Sequence, residues 1–258
     1  MTNMTNAFPR RKTGAHRASR GDRTFQWVAI GIVSLLTLLI LLPMINVVSA
    51  SFSSSSAVNA GRVLLLPVDA TLNNYMTILN YKSVWLGYRN TVFYTVVGTF
   101  INVVLTMICA YPLAQKSFSG RKFLSILFFI PLIFNGGMIP NYILMRDLKI
   151  INTLWAGLIP GAINVFNMIV ARTFIQTSIP ETMAEAARID GCSPARYFFS
   201  FVLPLSKTII AVISMYYAVS HWNDYFTAFL YINKRSLYPL QLFLREILVN
   251  SQFDSSVM

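Results

Sequence analysis

The sequence predicts an all-α membrane protein, a polytopic helical bundle, and three observations carry that prediction. The chain is 55% hydrophobic and 12% charged, with a mean hydropathy of +0.56, whereas soluble domains carry about twice that share of charge. Five apolar stretches are each long enough to cross the hydrocarbon core, which takes about 20 residues as a helix. Lysine and arginine are distributed unevenly among the segments between them, as a membrane topology requires. The formal charge of +12 (21 Lys and Arg against 9 Asp and Glu) would suit a nucleic-acid binder. Spans this apolar argue against a soluble one, and no nucleic acid is expected as a partner.

Residues 1–25 form a basic leader, "RRKTGAHRASRGDR" at Arg10–Arg23. It is expected to be cytoplasmic and to lie against anionic lipid. A transmembrane domain follows over 26–258. Its first span is Trp27–Val48. The "VSA" at Val48–Ala50 resembles a signal-peptidase site, but the apolar run before it exceeds the usual 7–15 residues of a signal sequence, which predicts an uncleaved anchor. The second span is Thr91–Leu113. The third, Phe123–Ile143, is interrupted by "FNGGMIP" (Phe134–Pro140). Broken backbone at membrane depth survives only where protein or a water-filled cavity satisfies it. The break therefore marks a pathway or gate, or alternatively a kink near the membrane surface. The fourth and fifth spans are Leu154–Phe174 and Leu205–Phe229.

Lysine and arginine are denser in 1–26, 114–122 and 175–204 than in 49–90, 144–153 and 230–258. The loop "QKSFSGRK" (Gln115–Lys122) has three cations and no acid. The N-terminus is thus expected in the cytoplasm, with Asn59 and Arg235 outside. After Leu230 no further apolar run of span length occurs. Cys109 and Cys192 offer neither a disulfide framework nor metal-ligand spacing and read as structural.

Between the last two spans lies "SIPETMAEAARIDGCSPARYFFSFVLPLSK" (Ser178–Lys207), polar in an otherwise apolar chain. Ser178 followed by Pro180 and Glu181 reads as a capped helix start. The helix is expected to reach Asp190 and stop at Gly191, which can adopt the left-handed conformation of a C′ residue. Ser193 and Pro194 begin a second short helix. Glu181, Glu185 and Arg188 share a face at i, i+4 and i+7, while Ala184, Ala186 and Ala187 keep other faces thin enough for another backbone to approach. That face is either a docking surface or a solvated one on which Glu185 and Arg188 pair locally.

A resemblance separates these alternatives. "EAARIDGCSPARYFFSFVLPLS" (Glu185–Ser206) resembles the E-A-A–x3–G signature, closing on I/V and L-P, of permease subunits of ATP-binding-cassette importers; Glu185, Ala186, Ala187, Gly191, Val202 and Pro204 fall on its key positions. "YTVVGTFINVVLTMICAYPLAQKSFSGRK" (Tyr94–Lys122), "ARTFIQTSIPE" (Ala171–Glu181) and "HWNDYFTAFLYI" (His221–Ile232) are similar to its carbohydrate-uptake branch. "NGGMIPNYIL" and "LYPLQLFLREIL" are similar to an oligosaccharide, maltose-type subgroup. Cys192 departs from the usual alanine. The family also has a sixth span where five are read here, and a truncated sequence is the expected reason.

The resemblance implies a type I importer permease fold and a coupling loop, 177–204, seated in a cleft of a separate ATPase. Glu181, Glu185, Ala186, Ala187, Asp190, Gly191 and Pro204 would form that coupling element. It implies a partner set of a second permease, two ATPase subunits, an extracellular solute-binding lipoprotein and a carbohydrate. No cofactor is expected in this chain. ATP and magnesium would sit in the ATPase, consistent with the absence of a G-x-x-x-x-G-K-[ST] phosphate cradle from this sequence. The expected mechanism is alternating access in a bacterial cytoplasmic membrane.

Candidate residues for the substrate pathway are Asn135, Asn164, Asn167, Trp222, Asn223 and Tyr225, because sugars present apolar faces and hydroxyl rims. The competing reading makes Asn164 and Asn167 interhelical hydrogen-bond partners and Trp222 and Tyr225 interfacial anchors. "GLIPG" (Gly157–Gly161) reads as close helix packing with a proline kink. An ion-coupled carrier would carry ionisable residues mid-membrane, and only His221 and Asp224 come near that. Two histidines cannot furnish an intramembrane enzyme.

Overall fold

The computed structural model of the chain describes residues 20–256, in which every regular element is helical. Residues 1–19, most of the basic leader, lie outside them. The chain forms two compact units that divide between Ile78 and Leu79.

In the first unit α1 (Arg20–Ser51) is continuous through the "VSA" stretch, and its residues Gly21–Ser51 are long and apolar enough to span a membrane. Its side chains stay exposed until the last turns, the condition of a helix whose solvent is hydrocarbon. There Asn46 donates to the carbonyls of Val63 (3.1 Å) and Leu64 (2.7 Å), and Ser49 donates to that of Leu65 (2.7 Å). Ser53 accepts from the Val68 amide at 3.0 Å. These polar side chains thus staple the connecting segment to the end of α1. Two short helices follow, α2 (Ser55–Asn59) and α3 (Asn73–Asn80).

The second unit is built on α4 (Lys82–Ala114), which starts nine residues before the expected span. Its buried stripe runs Asn90, Tyr94, Gly98, Asn102, Thr106, Ala110, Leu113, while Val96, Phe100 and Ile108 face outward. Small and polar residues inward with large apolar ones outward is how helices pack when lipid replaces water, since backbones approach over small residues and polar groups bond between helices. The third expected span is two helices, α5 (Arg121–Ile133) and α6 (Met138–Asp147), bent by 120° at the predicted break. Asn135 accepts a hydrogen bond from the Gly137 amide at 2.9 Å there.

The fourth expected span is corrected. Leu154–Gly157 is a single 3₁₀ turn, and only α7 (Val165–Ser178) is α-helical, 14 residues long. At 1.5 Å per residue α7 covers about 21 Å, so "GLIPG" breaks the helix outright instead of kinking it. Its close-packing role holds: a Cβ on Gly157 would lie 2.9 Å from the Tyr94 ring.

After α7 come α8 (Glu181–Ile189), α9 (Pro194–Tyr197), a π-helical turn (Phe198–Val202) and α10 (Leu203–Leu205). The chain then bends 79° into α11 (Lys207–Asn223). Pro204 removes a backbone donor just before that bend, and buried Ser206 occupies the corner. The fifth expected span ends early, at Asn223; α12 (Phe226–Tyr231) is a separate element. Among the described residues two helices are long and apolar enough to cross a membrane, or up to four spans if each bent pair counts as one.

The last element, α13 (Leu240–Ser256), lies where no span is expected and packs on α4. Asn90 donates to the carbonyls of Ser236 (2.8 Å) and Tyr238 (3.0 Å), Thr91 accepts from the Leu240 amide (2.8 Å), and Tyr94 donates to the Leu237 carbonyl (3.1 Å).

Candidate functional site

Two regions qualify, and they are separate. The first surrounds α8. Its N-cap is Pro180, and Ser178 is the last residue of α7, so Ser178 does not cap α8 and no capping box forms. Glu181 instead pairs with Lys116 at 2.6 Å, on side chains 53% and 74% exposed. Exposed pairs of this kind are worth about 0–1 kcal/mol. At the other end of the helix Arg188 donates to the Ser117 hydroxyl at 2.8 Å. Both ends of α8 are thus tied to the loop between α4 and α5, and Ala187 is buried against the core while Ala186 faces out.

The local Glu185–Arg188 pair is not formed. Glu185 is exposed and makes no ion pair among the described residues. Ile189, which sequence reasoning passed over, is 87% exposed at the tip of the helix.

The turn after α8 follows the expected geometry. Asp190 is the C-cap, Gly191 has φ +73°, and the Cys192 amide bonds the Ala187 carbonyl at 2.8 Å, a Schellman closure. Ser193 accepts from the Arg196 amide at 3.3 Å with Pro194 in the first turn, capping α9. Pro204 lies in α10, beyond this turn.

The second region is a polar cavity of about 740 Å³ between α4, α7 and α11. Asn164, Asn167 and Asn223 line it, joined by Asn102, Ser220, His221 and Asp224. Asn164 caps α7 by accepting from the Asn167 amide (3.1 Å), and its own amide donates to the Tyr217 hydroxyl (3.0 Å), which also bonds Thr106 (2.7 Å). One phenol therefore joins three helices at the cavity wall. The Asn102 amide is hydrogen-bonded to His221 Nε2 at 3.0 Å, leaving its buried Oδ1 without a partner among the described residues. Asp224 accepts from the Thr227 amide at 3.1 Å, in the first turn of α12.

The structure does not bring the other three candidates here. Asn135 is a turn residue in the α5–α6 break. Trp222 packs edge-on against Tyr88 at 5.9 Å, and Tyr225 lies beneath Arg245. Asn102 and His221 were missed as cavity residues because their pairing spans 119 positions.

A Cβ on Gly98 would lie 2.5 Å from His221 Nε2. Gly98→Ala is therefore expected to displace the imidazole and break the Asn102 contact, costing about 1–3 kcal/mol as overpacking does. The check is a lowered melting temperature in detergent together with impaired transport; an unchanged melting curve would refute the close approach.

An apolar helix of membrane-spanning length, α4, packed with α7 and α11 around a polar cavity, and a separate polar helix closing on a left-handed glycine, fit an integral membrane protein with a solute pathway. No family model matches the chain. It is 37% identical over 240 residues to the polygalacturonan/rhamnogalacturonan transport system permease protein YtcP of Bacillus subtilis, covering 92% of this chain and 84% of that one. To protein LplC of the same organism it is 36% identical over 216 residues, 84% and 73% of the two chains. The fold matches a crystal structure of a bacterial ABC transporter involved in the import of the acidic polysaccharide alginate, with TM-score 0.85, 35% identity and coverage of 93% and 86%. The chain belongs to the permease subunits of ATP-binding-cassette sugar importers. It is a transport subunit of the cytoplasmic membrane and not an enzyme; ATP hydrolysis belongs to a separate chain.

Proposed function

We propose that this permease imports an oligosaccharide by alternating access, driven by an ATPase that grips α8. The observation that carries the reading is the state of α8. Its two ends are tied to the α4–α5 loop, yet Glu185 and Ile189 stand exposed and unengaged. A helix anchored at its ends while presenting a free carboxylate and a free apolar tip is suited to seating in a partner's cleft and passing its motion on. The polar cavity supports a carbohydrate, since its amides and hydroxyls match a hydroxyl rim and Tyr216 offers a ring. The names of similar permeases, including arabinooligosaccharides and diacetylchitobiose, favour an oligomer.

The partners in this reading are a second permease, two ATPase subunits that bind ATP and magnesium, and an extracellular solute-binding protein. In this reading the N-terminus and α8 lie in the cytoplasm. Cysteines introduced at Asn59, Ala195 and Arg235 test it: an impermeant reagent added to intact cells is expected to label positions 59 and 235 and leave 195 unlabelled. Labelling of 195 from outside would end the coupling reading. Reconstitution with the partner chains tests the energy source. Sugar accumulation should require ATP and survive collapse of ion gradients; accumulation driven by a proton or sodium gradient alone would make the chain a carrier.

A further inference from the structure

Besides its polar cavity, the unit holds a second cleft, of about 360 Å³, between α12 and α13. Its wall includes Phe229, Asn233, Tyr238, Arg245 and Glu246. The Arg245 guanidinium carbon lies over the Phe229 ring, 4.3 Å from its centroid, and 5.3 Å from that of Tyr225. Rings beneath a guanidinium fix its position while leaving its in-plane N–H donors open, and that planar fork matches a carboxylate two-pronged. The Arg245 side chain makes no hydrogen bond or ion pair among the described residues. The adjacent Glu246 is taken by Arg235 at 3.3 Å, so it does not quench Arg245.

The polar cavity has the opposite character. Asp224 is the charged residue of its lining, and neither lysine nor arginine reaches it. A carboxylate entering there would meet like charge with no cation on the wall to receive it, whereas the α12–α13 cleft sets Arg245 beside a Glu246 that is already paired. The two clefts share α12, Thr227 lining one and Phe229 the other.

We infer that the α12–α13 cleft is a subsite for the carboxylate of a uronate-type sugar, held by Arg245 with the cleft's aromatic and amide groups around the ring. The inference rests on the reading of the chain as a carbohydrate permease and adds a charge class to its substrate. Arg245 sets specificity: it rewards an acidic sugar where the neutral amides of the polar cavity reward hydroxyls.

The test uses the complete reconstituted transporter with trigalacturonate and its methyl ester as probes, which share size and hydroxyls and differ in charge. Wild type is expected to prefer the free acid, read as the ratio of half-saturating concentrations. Arg245→Gln should reduce that preference by about tenfold or more, the value of a lost charge-assisted contact. Arg245→Lys, which keeps charge but loses the fork, should retain part of it and guards against a folding defect in the glutamine variant. An undiminished preference in both variants overturns the inference, as does a wild type that transports neutral oligosaccharides and ignores the acid. A wild type that transports no sugar with ATP overturns the carbohydrate reading itself, a separate outcome.

Discussion

Gly191→Pro is expected to abolish coupled transport, by about a hundredfold or more, while the protein still reaches the membrane. Gly191 sits at φ +73°, and proline fixes φ near −65°. Its amide also bonds the Arg188 carbonyl at 3.0 Å, a donor that proline lacks. Proline further drives the preceding residue out of the helical region, and Asp190 is at φ −74°, ψ 6°. The turn therefore cannot form, and α8 loses its fixed relation to α9. Nothing lies within 4 Å of where a Cβ on Gly191 would project, so the defect stays local to the backbone and does not spread into the core. Gly191→Ala, which fits in space and pays only for the left-handed conformation, about 1–2 kcal/mol, should retain partial transport. Uptake and stimulated ATP hydrolysis, normalised to the amount of permease in the membrane, measure both. Wild-type uptake by a well-expressed proline variant would remove the turn from the mechanism.

That turn was legible in the sequence because its causes are local. A glycine after a helical run, then a serine and a proline, specify a Schellman closure and a new cap within six residues. The break between α5 and α6 was legible for the same reason. What sequence could not supply was pairing across distance. Glu181 looked like half of a capping box, yet its partner is Lys116, 65 positions away. Hydropathy found the core of α4 but missed its first turns, because Gly87 and Asn90 are buried against α13 and the segment leading into it by close approach and polar bonds. It also joined Leu154–Phe174 into one span, since apolarity does not distinguish a helix from a 3₁₀ turn and loop of the same composition. The sugar candidates divided along the same line. Asn164 and Asn167 reached the cavity through a local cap, whereas Trp222 and Tyr225 were directed elsewhere by Tyr88 and Arg245.

Ile189→Asp and Glu185→Gln should both release the ATPase, whereas Glu181→Gln should not. An isoleucine left 87% exposed has nearly its whole apolar surface still to bury. Seating such a side chain contributes about 1.5–3 kcal/mol, and an aspartate in its place adds an unpaired charge to the cleft. Glu185 is exposed on the same helix and makes no ion pair among the described residues, so a cationic group in the cleft can take it without first breaking an existing pair. Removing one member of a desolvated pair costs about 2–5 kcal/mol. Glu181 differs because its carboxylate is already committed to Lys116, on side chains that water screens. Its loss amounts to at most about 1 kcal/mol, felt as a looser start to α8. The ordering expected in a pull-down of the ATPase with the purified permease is therefore Ile189→Asp weakest, Glu185→Gln weaker than wild type, and Glu181→Gln close to wild type. Melting temperatures of the permease alone should move little for all three, because none of these side chains is in the core. If Ile189→Asp retains the ATPase as wild type does, the exposed tip is a lipid contact and α8 does not seat by it.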